Sequence, residues 1–211
     1  MLPPPAGIPA TPTGGSIAQL IDPAPPSVPL VRAKLRIVRV NLDVLDGSAA
    51  SVAGTLRPAL AGRLVELQRH TRRGWRTISR RPTRARGAFV LRYTPRHLLT
   101  ERVRVLFAGD AGALPTARPV GVLSSYRLAG ASWYGGGGGL ACGGRLTAST
   151  LGVANKTLPC GTLVTIRYGG HSVRVPVVDR GPYVAGRDFD LTEATKRALG
   201  FDGVGEVWST R

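Results

Sequence analysis

The feature that most limits the possible folds is a period-two alternation of apolar residues, repeated in short runs between Gly and Pro. The two clearest runs are Ala88-Phe89-Val90-Leu91-Arg92-Tyr93 and Arg102-Val103-Arg104-Val105-Leu106-Phe107. Successive side chains of a β-strand point to opposite faces, so this spacing is typical of strands with one buried and one solvated face. We therefore predict an antiparallel β-sandwich with a solvated, arginine-rich outer face over residues 33–127.

Composition divides the rest of the chain into two further segments. Residues 1–32 contain the clusters Pro3-Pro4-Pro5 and Pro23-Ala24-Pro25-Pro26 with almost no charge, which predicts a proline-rich linker. Residues 128–211 contain two short apolar runs on either side of Gly169-Gly170-His171, which predict a hairpin. By pattern alone, the middle segment resembles an immunoglobulin-like module.

Cys142 and Cys160 are the only cysteines of the chain. A pair this close in a segment of this size fits a disulfide formed in an oxidising compartment, worth about 3 kcal/mol through loop closure. Two unrelated buried thiols are the alternative. The spacing matches neither a CxxC redox site nor a zinc cluster, and His70, His97 and His171 are scattered, so we predict no metal site and no cofactor.

The net charge of the chain is +17, nearly all of it from arginine. Such a charge attracts polyanions, which include nucleic acid, anionic lipid and the carboxylate- and phosphate-bearing polymers of a cell wall. A GC-rich genome, which enriches Arg, Ala, Gly and Pro together, is the alternative explanation. For the arginines between Arg63 and Arg104, polymer docking competes with the simpler interpretation of a solvated strand face.

Apolar runs are short throughout the sequence. None approaches the about 20 residues of a membrane-spanning helix. The segment from Ser16 to Ile21 is too short and lacks the basic flank of a secretory signal. We therefore expect neither a transmembrane segment nor a signal peptide within this sequence.

Asp179 is the strongest candidate for chemistry. Three valines at alternate positions from 173 to 177 share one face of a predicted strand, and Asp179 continues that face just before the turn Arg180-Gly181-Pro182. A carboxylate at the end of an apolar stripe is suited to proton transfer. A bulge at Pro176 would change this parity. A turn aspartate that caps the amide of Gly181 or Tyr183 is the competing interpretation.

Residues 128–211 contain four motifs in a fixed order. They are Ala131-Ser132-Trp133-Tyr134-Gly135, Ala154-Asn155-Lys156-Thr157-Leu158-Pro159-Cys160-Gly161-Thr162, Val178-Asp179-Arg180-Gly181-Pro182-Tyr183 and Gly186-Arg187-Asp188-Phe189-Asp190-Leu191-Thr192. Together they resemble the double-psi β-barrel domain of the rare-lipoprotein-A family. The resemblance covers roughly the last 80 residues and implies a six-stranded double-psi β-barrel there. With the sandwich predicted from the alternation and one short helix, the predicted fold is an all-β protein in which an immunoglobulin-like β-sandwich precedes the barrel.

The enzymes of this family are lytic transglycosylases, so the resemblance implies cleavage of the MurNAc–GlcNAc bond of peptidoglycan without water. The sugar's own 6-hydroxyl attacks and gives a 1,6-anhydro product. Because the nucleophile is intramolecular, one carboxyl group can serve first as acid and then as base, whereas a glycoside hydrolase ordinarily needs two. The resemblance assigns this catalytic role to Asp179.

The sequence departs from the family pattern at two positions. Gly144 stands where the family's enzymes carry a glutamate, and Asn155 stands where they carry a histidine. Asn155 can hydrogen-bond a sugar or orient Asp179, but it cannot transfer a proton. These differences favour the alternative of a non-catalytic, expansin-like module that binds the wall. Since the two cysteines adjoin the altered positions, we expect the disulfide to hold the same groove.

The expected substrate contacts lie within the four motifs. Trp133 and Tyr134 offer aromatic faces to pyranose rings, with core packing as the alternative for one of them. Arg180 and Arg187 offer bidentate contacts to stem-peptide carboxylates, although Arg187 can instead pair with Asp188 or Asp190. The remaining predicted contacts are Asn155, Lys156, Thr157, Tyr183 and Asp190.

Asp190 has a competing role as a helix cap. The segment Asp190-Leu191-Thr192-Glu193 resembles a capping box, in which Asp190 accepts from the amide of Glu193 and Glu193 reaches back. We expect a short helix that begins there and ends at Gly200, a residue suited to the left-handed conformation.

The combined prediction is a monomeric, extracellular or wall-associated protein whose partners are peptidoglycan glycan strands and anionic wall polymers. A basic nucleic-acid-binding protein is the second alternative. The predicted disulfide and the lack of a recognition motif in the sequence argue against specific binding of nucleic acid.

Overall fold

The structure, a computed structural model, describes residues 1–2 and 30–211. Most of the predicted proline-rich linker, residues 3–29, therefore lies outside the described residues. The described part is built from β-strands and one short α-helix, which confirms the predicted all-β class.

Residues 31–114, together with the first half of the strand that follows them, form the N-terminal domain. Its elements are β1 (Val31–Arg32), β2 (Lys34–Asn41), β3 (Asp43–Leu45), β4 (Ala50–Arg57), β5 (Leu64–Thr71), β6 (Gly74–Pro82), a 3-10 turn (Ala85–Gly87), β7 (Ala88–Tyr93), β8 (Thr100–Phe107) and β9 (Ala113–Leu114). One sheet has the order β2-β4-β7, and the strands β6, β5 and β8 form the beginning of a larger sheet.

The predicted alternation is confirmed in β7 and β8. Phe89 and Leu91 are buried while Val90 is exposed, and Val105 and Phe107 of β8 are buried as well. Side chains of both sheets belong to one hydrophobic core. The domain is therefore a two-layer β-structure, and its immunoglobulin-like character stays a prediction.

The outer face of the larger sheet carries a network of polar side chains around Glu66. Gln68 and Thr77 donate hydrogen bonds to the Glu66 carboxylate, and Arg80 forms an ion pair with it at 2.6 Å. Burial alone would raise the pKa of Glu66, but these hydrogen bonds outweigh it, so the pKa lies below its usual value. Part of the predicted arginine-rich face is thus neutralised within the domain.

The remaining elements begin with a strand that belongs to both halves of the chain. They are β10 (Thr116–Tyr134), β11 (Gly138–Gly139), β12 (Arg145–Leu146), β13 (Val153–Ala154), β14 (Leu163–Tyr168), β15 (His171–Asp179), β16 (Phe189–Thr192), α1 (Glu193–Leu199) and β17 (Gly205–Ser209). The predicted hairpin is confirmed, since β14 and β15 pair up to Tyr168 and His171.

Six strands of the C-terminal domain close into a ring of backbone pairings. The order is β16-β13-β15-β14-β17-β10, and β10 also pairs with β16. The β10–β16 and β13–β15 pairs are parallel, and the other pairs are antiparallel. Ile166, Phe189, Leu191 and Val207 are completely buried inside the ring.

The predicted domain boundary at 127/128 falls inside β10. The first half of this strand pairs with β8, and the second half pairs with β17 and β16. Asp43 adds side-chain contacts between the halves, because its Oδ1 accepts from Tyr126 at 3.0 Å and its Oδ2 lies 3.4 Å from Arg167. Burial and the neighbouring Asp43 raise the pKa of Tyr126 to about 12. The two domains are therefore joined by backbone and by side chains.

The capping-box prediction at Asp190 is wrong. The N-cap of α1 is Thr192, whose side chain accepts from the amide of Thr195. Asp190 lies in β16, where strand pairing with β10 and β13 fixes its backbone in an extended conformation. The predicted end of the helix at Gly200 is confirmed, with φ 66° in the left-handed region.

Across residues 1–2 and 30–211, the chain has no helix that is long and apolar enough to cross a membrane.

Candidate active site

Four neighbouring strands place polar side chains in one lateral row. The register pairs Asp179 of β15 with Ala154 of β13, Ala154 with Asp190 of β16, and Asp190 with Ser132 of β10. Directly paired residues of neighbouring strands point to the same face of a sheet. Two carboxylates and one hydroxyl therefore share a face, with the α-carbons of Asp179 and Asp190 two strand spacings, about 10 Å, apart.

A bulge brings Asp179 to this face. Val177 pairs with Val153 while Asp179 pairs with Ala154, so Val178 is an extra residue in β15. The prediction that Asp179 continues the apolar face of residues 173–177 is therefore wrong. Val177 is buried in the core, whereas Asp179 is half-buried on the opposite face. The extra residue redirects the carboxylate, which is a common effect of a bulge.

Two backbone amides hold one oxygen of Asp179. Its Oδ1 accepts from the amide of Ala141 at 2.9 Å and from that of Arg180 at 2.8 Å. The competing prediction named the amides of Gly181 and Tyr183, and the structure places Arg180 there instead. Because Oδ1 is occupied twice, Oδ2 is the oxygen that can carry a proton.

The hydroxyl of Tyr134 lies in the same region. It is buried and forms no hydrogen bond of regular geometry with any residue that the structure describes. Burial raises the pKa of Tyr134 above its usual range. The Asp179 carboxylate, as a negative charge and as a close acceptor for the hydroxyl, adds to this effect together with the charge of Asp190. The hydroxyl is therefore a protonated donor near two carboxylates, and stacking of the Tyr134 ring on a sugar stays a prediction.

Asp190 is oriented by Ser132. The Ser132 hydroxyl donates to Oδ1 of Asp190, and Nη1 of Arg187 donates to the same hydroxyl at 3.2 Å. Arg187 forms no ion pair within the described part of the chain, while Asp188 pairs with Arg127 at 2.9 Å. The alternative in which Arg187 pairs with Asp188 or Asp190 is thus wrong, and its charge lies beside the Ser132–Asp190 contact.

The predicted disulfide between Cys142 and Cys160 is present, with the two α-carbons 5.5 Å apart. It joins the glycine-rich loop that carries Ala141 to the segment that follows Asn155. The amide of Cys142 also donates to the carbonyl of Val178 at 3.2 Å. The disulfide therefore holds in place the loop whose amide binds Asp179.

Asn155 and Arg180 shape the wall of the site. Oδ1 of Asn155 accepts from the amides of Thr157 and Leu158 at 3.0 and 2.8 Å, and its Nδ2 donates to the carbonyl of Asp188. Nη1 of Arg180 donates to the carbonyls of Asn155 and Leu158. Both side chains, predicted to contact substrate, are thus engaged in holding the loop.

The other predicted contacts are exposed. Tyr183 is 82% exposed, and Lys156 and Thr157 lie on the surface of the adjoining loop. Trp133 is 38% exposed with Nζ of Lys196 3.7 Å from its ring centroid. As the immediate neighbour of Tyr134 along β10, Trp133 points to the other face of the sheet. The two aromatic residues therefore lie on opposite faces of the sheet, and stacking of either on a sugar stays a prediction.

Two groups of the site were missed by sequence reasoning. Ser132 lies two residues before Tyr134, so strand periodicity places the two on one face, and that signal was available in the sequence. No sequence signal marked the amide of Ala141, because every residue except proline has a backbone N–H and residue type does not show which one points into the site.

Comparison with known proteins gives a consistent match to the C-terminal domain. Residues 128–208 match the double-psi β-barrel family described as lytic transglycolase. That range includes every side chain of the site. The chain is 46% identical over 81 residues to the probable endolytic peptidoglycan transglycosylase RlpA of Aquifex aeolicus, which covers 35% of this chain and 36% of that protein.

Two further relatives carry similar names. The probable endolytic peptidoglycan transglycosylase RlpA of Synechocystis is 39% identical over 124 residues, covering 50% of this chain and 39% of that protein. The endolytic peptidoglycan transglycosylase RlpA of Neisseria meningitidis serogroup A is 40% identical over 76 residues, covering 34% and 32%. The chain thus spans less than two fifths of the length of these curated relatives.

Among solved structures, the Streptomyces papain inhibitor matches with 27% identity and a TM-score of 0.32, covering 41% of this chain and 94% of that one. The family and sequence matches support the RlpA-like double-psi barrel that the four motifs predict.

Proposed function

We propose that the protein remodels the cell wall by binding peptidoglycan glycan strands beside Asp179 and cleaving them by lytic transglycosylation. The main support is the row of Asp179, Asp190 and Ser132 on one face, within a segment similar to proteins named as peptidoglycan transglycosylases. We also place the protein outside the cytoplasm, because its disulfide fits an oxidising compartment.

In the proposed reaction, Asp179 is the single acid and base. Its protonated Oδ2 donates to the oxygen of the departing sugar as the bond from that oxygen to C1 of MurNAc breaks. The 6-hydroxyl oxygen of the same MurNAc then bonds to C1, and its proton passes to the Asp179 carboxylate. One C–O bond breaks, one forms, and the proton returns to Asp179, so water is not consumed.

The groups around Asp179 have supporting roles in this scheme. The amides of Ala141 and Arg180 hold Oδ1 in place through both proton transfers. Asp190, held by Ser132, supplies a fixed negative charge that stabilises positive charge developing at C1. Tyr134 remains a neutral donor that can bind a sugar oxygen.

We assign substrate binding to the exposed residues next to this row. The ring of Tyr183 is available for stacking on a pyranose, and Lys156 and Thr157 line the adjoining loop. Arg187 offers a guanidinium to a stem-peptide carboxylate. The immunoglobulin-like domain precedes this binding surface in a chain that acts as a monomer.

A non-catalytic wall-binding module is the second candidate function. Gly144, at the position of the family glutamate, is exposed with φ +81°, a conformation that L side chains rarely adopt. Asn155, at the position of the family histidine, is bonded to the backbone through both its side-chain oxygen and its side-chain nitrogen. Neither position supplies a second acid or a proton shuttle, and this observation favours binding without cleavage.

The deciding experiment uses peptidoglycan sacculi, both intact and stripped of stem peptides. The parent protein, Asp179→Asn and the matched control Asp46→Asn, whose residue lies in an exposed turn of the N-terminal domain, are incubated with each. Mass spectrometry of the soluble products then detects 1,6-anhydro ends. We expect such products from the parent and from the control, and none from Asp179→Asn. If all three proteins pellet with sacculi and release nothing, the transglycosylase proposal fails and the wall-binding module stands.

A further inference from the structure

Positive charge is concentrated in the N-terminal domain, away from the site just described. Residues 30–115 contain 18 Arg and Lys against five Asp and Glu, a net charge of +13 out of the +17 of the whole chain. The carboxylates Asp179 and Asp190 lie in the other domain and do not neutralise this charge.

The arginines of this domain fall into two groups. Arg63, Arg69 and Arg80 form ion pairs with Asp110, Glu101 and Glu66 at 2.7, 3.0 and 2.6 Å. A second group forms no ion pair with any residue that the structure describes. The members of this group around β6 are Arg72, Arg73, Arg76, Arg81, Arg84 and Arg92, which we call the arginine edge.

One end of the arginine edge lines a cavity at the β5–β6 hairpin. The cavity has a volume of about 420 Å³, and Arg72, Arg73 and Arg76 contribute to its wall. Glu101 is the one carboxylate of that wall, and Arg69 already neutralises it. Arg76 also lies directly across from Arg69 in the β5–β6 pairing, and like charges in that position repel. A bound anion would relieve this repulsion.

The other end lines a cavity where β6 and β7 meet. Its volume is about 340 Å³, and Arg81, Arg84 and Arg92 line it without any carboxylate. The turn between the two strands contains Arg86 with φ 59°, a left-handed conformation that is uncommon outside glycine. Three arginines that face one cavity are expected to attract an anion with several oxygens.

The two cavities lie along one exposed strand. β6 pairs only with β5 and therefore forms an edge of its sheet. Arg73 and Arg84 are eleven residues apart, which corresponds to about 36 Å in an extended chain. Charged residues also protect sheet edges from pairing with other chains, which would explain arginines spread along β6. Protection of an edge does not require arginine-lined cavities at both of its ends.

We propose that the arginine edge binds a linear phosphodiester polymer of the cell wall. The guanidinium group matches phosphate oxygens in a bidentate manner, and two cavities this far apart fit a polymer with a charge in each repeat better than a small anion. The choice of a wall polymer over nucleic acid rests on the proposed function of the C-terminal domain. The binding itself rests on the arginine edge alone.

The test measures binding of poly(glycerol phosphate) to the full chain by fluorescence anisotropy between 50 and 200 mM salt. With six arginine–phosphate contacts, the slope of log affinity against log salt is expected to be about −4, which is about a 250-fold loss of affinity over this range. The variants R72Q/R73Q/R76Q and R81Q/R84Q/R92Q each reduce the slope by about 2 and weaken binding at least about tenfold at low salt.

The matched control removes three arginines from the opposite side of the domain. Arg32, Arg36 and Arg39 are exposed on β1 and β2, and β2 forms the far edge of the other sheet. The variant R32Q/R36Q/R39Q has the same net charge as the two test variants and is expected to change affinity less than twofold. Equal losses in all three variants would show non-specific attraction and overturn the proposal.

A second arm uses single-stranded DNA of the same charge. DNA binding that is as tight as the polymer and equally sensitive to both edge variants would overturn the assignment to a wall polymer. The sacculus assay separates this inference from the proposed function. Polymer binding by a protein that releases no anhydro products contradicts only the transglycosylase proposal, and the reverse result contradicts only the arginine edge.

Discussion

Removal of the disulfide by the double substitution Cys142→Ala and Cys160→Ala tests the energetic basis of the site. The two cysteines are 18 residues apart, and loop closure of that length contributes about 3 kcal/mol to the free energy of unfolding at 25 °C. Cys142 is half-buried and packs against the barrel core, and Cys160 is exposed; alanine keeps both Cβ atoms, so the packing lost with the sulfur atoms is small. We therefore expect the loss of stability to be close to the loop-closure value.

The change in melting temperature depends on how much of the chain unfolds together. For a domain of 60–100 residues, a loss of about 3 kcal/mol lowers Tm by about 12–24 °C, and for about 200 residues by about 6–12 °C. Because β10 belongs to both domains, we expect one transition and the smaller shift. Two resolved transitions with the larger shift in only one of them would show that the barrel unfolds alone.

Differential scanning calorimetry of three samples measures this shift: the parent, the double variant, and the parent with a reductant. The reduced parent is expected to melt with the double variant. A difference of less than about 3 °C between parent and variant would refute the reasoning, since it would mean that the amides of Ala141 and Cys142 hold the loop without help from the disulfide.

Three further predictions concern stability. Asn155→Ala is expected to lower the free energy of unfolding by about 2 kcal/mol in urea titrations, because two backbone amides lose their acceptor. Gly130→Ala is expected to lower the free energy of unfolding by about 1–3 kcal/mol or more, because the added Cβ would collide with the carbonyl oxygen of Gly186. Gly139→Ala is the control: open space surrounds its position, so we expect a change in stability of less than about 0.5 kcal/mol. The pKa of Glu66 is lowered on folding, so the ionised carboxylate stabilises the folded state above its unfolded pKa, and this stabilisation is lost as the pH falls through its folded pKa. Below about pH 4.5, the Tm of the parent is therefore expected to fall more than the Tm of Glu66→Gln.

Local patterns were sufficient to predict strands β7 and β8, the β14–β15 hairpin and the end of α1. Each depends on residues adjacent in sequence: alternation in β7 and β8, two glycines at the hairpin tip, and Gly200 after the last helical turn. The disulfide was also predictable, because the chain has two cysteines and a small domain in which to join them.

The bulge at Val178 could not be predicted in the same way. Its position depends on a contact between distant segments, since a Cβ on Gly152 would collide with the side chain of Val178. Only the pairing of β13 with β15 reveals that Gly152 leaves this space. Strand parity counted along one segment therefore placed Asp179 on the wrong face, although it identified the residue.

The roles of Asn155 and Arg180 were hidden for a similar reason. Both residues lie in a motif that resembles the family's, which suggested a functional role for each. A side chain whose hydrogen-bonding groups are already used by the backbone is less available to a substrate. Backbone groups of residues 155–188 occupy both of these side chains. Such backbone partners become visible only when the chain path is known.

The continuous strand β10 fixes the distance between the two domains. A flexible tether between an anchoring domain and a cutting domain would let the cut fall anywhere within reach. Here one 19-residue strand is hydrogen-bonded into both domains, so the spacing between the arginine edge and Asp179 is set by strand geometry. If both proposals hold, each cleavage occurs at a fixed distance from the anchored polymer, and lengthening β10 by two residues would move the cut by about 7 Å.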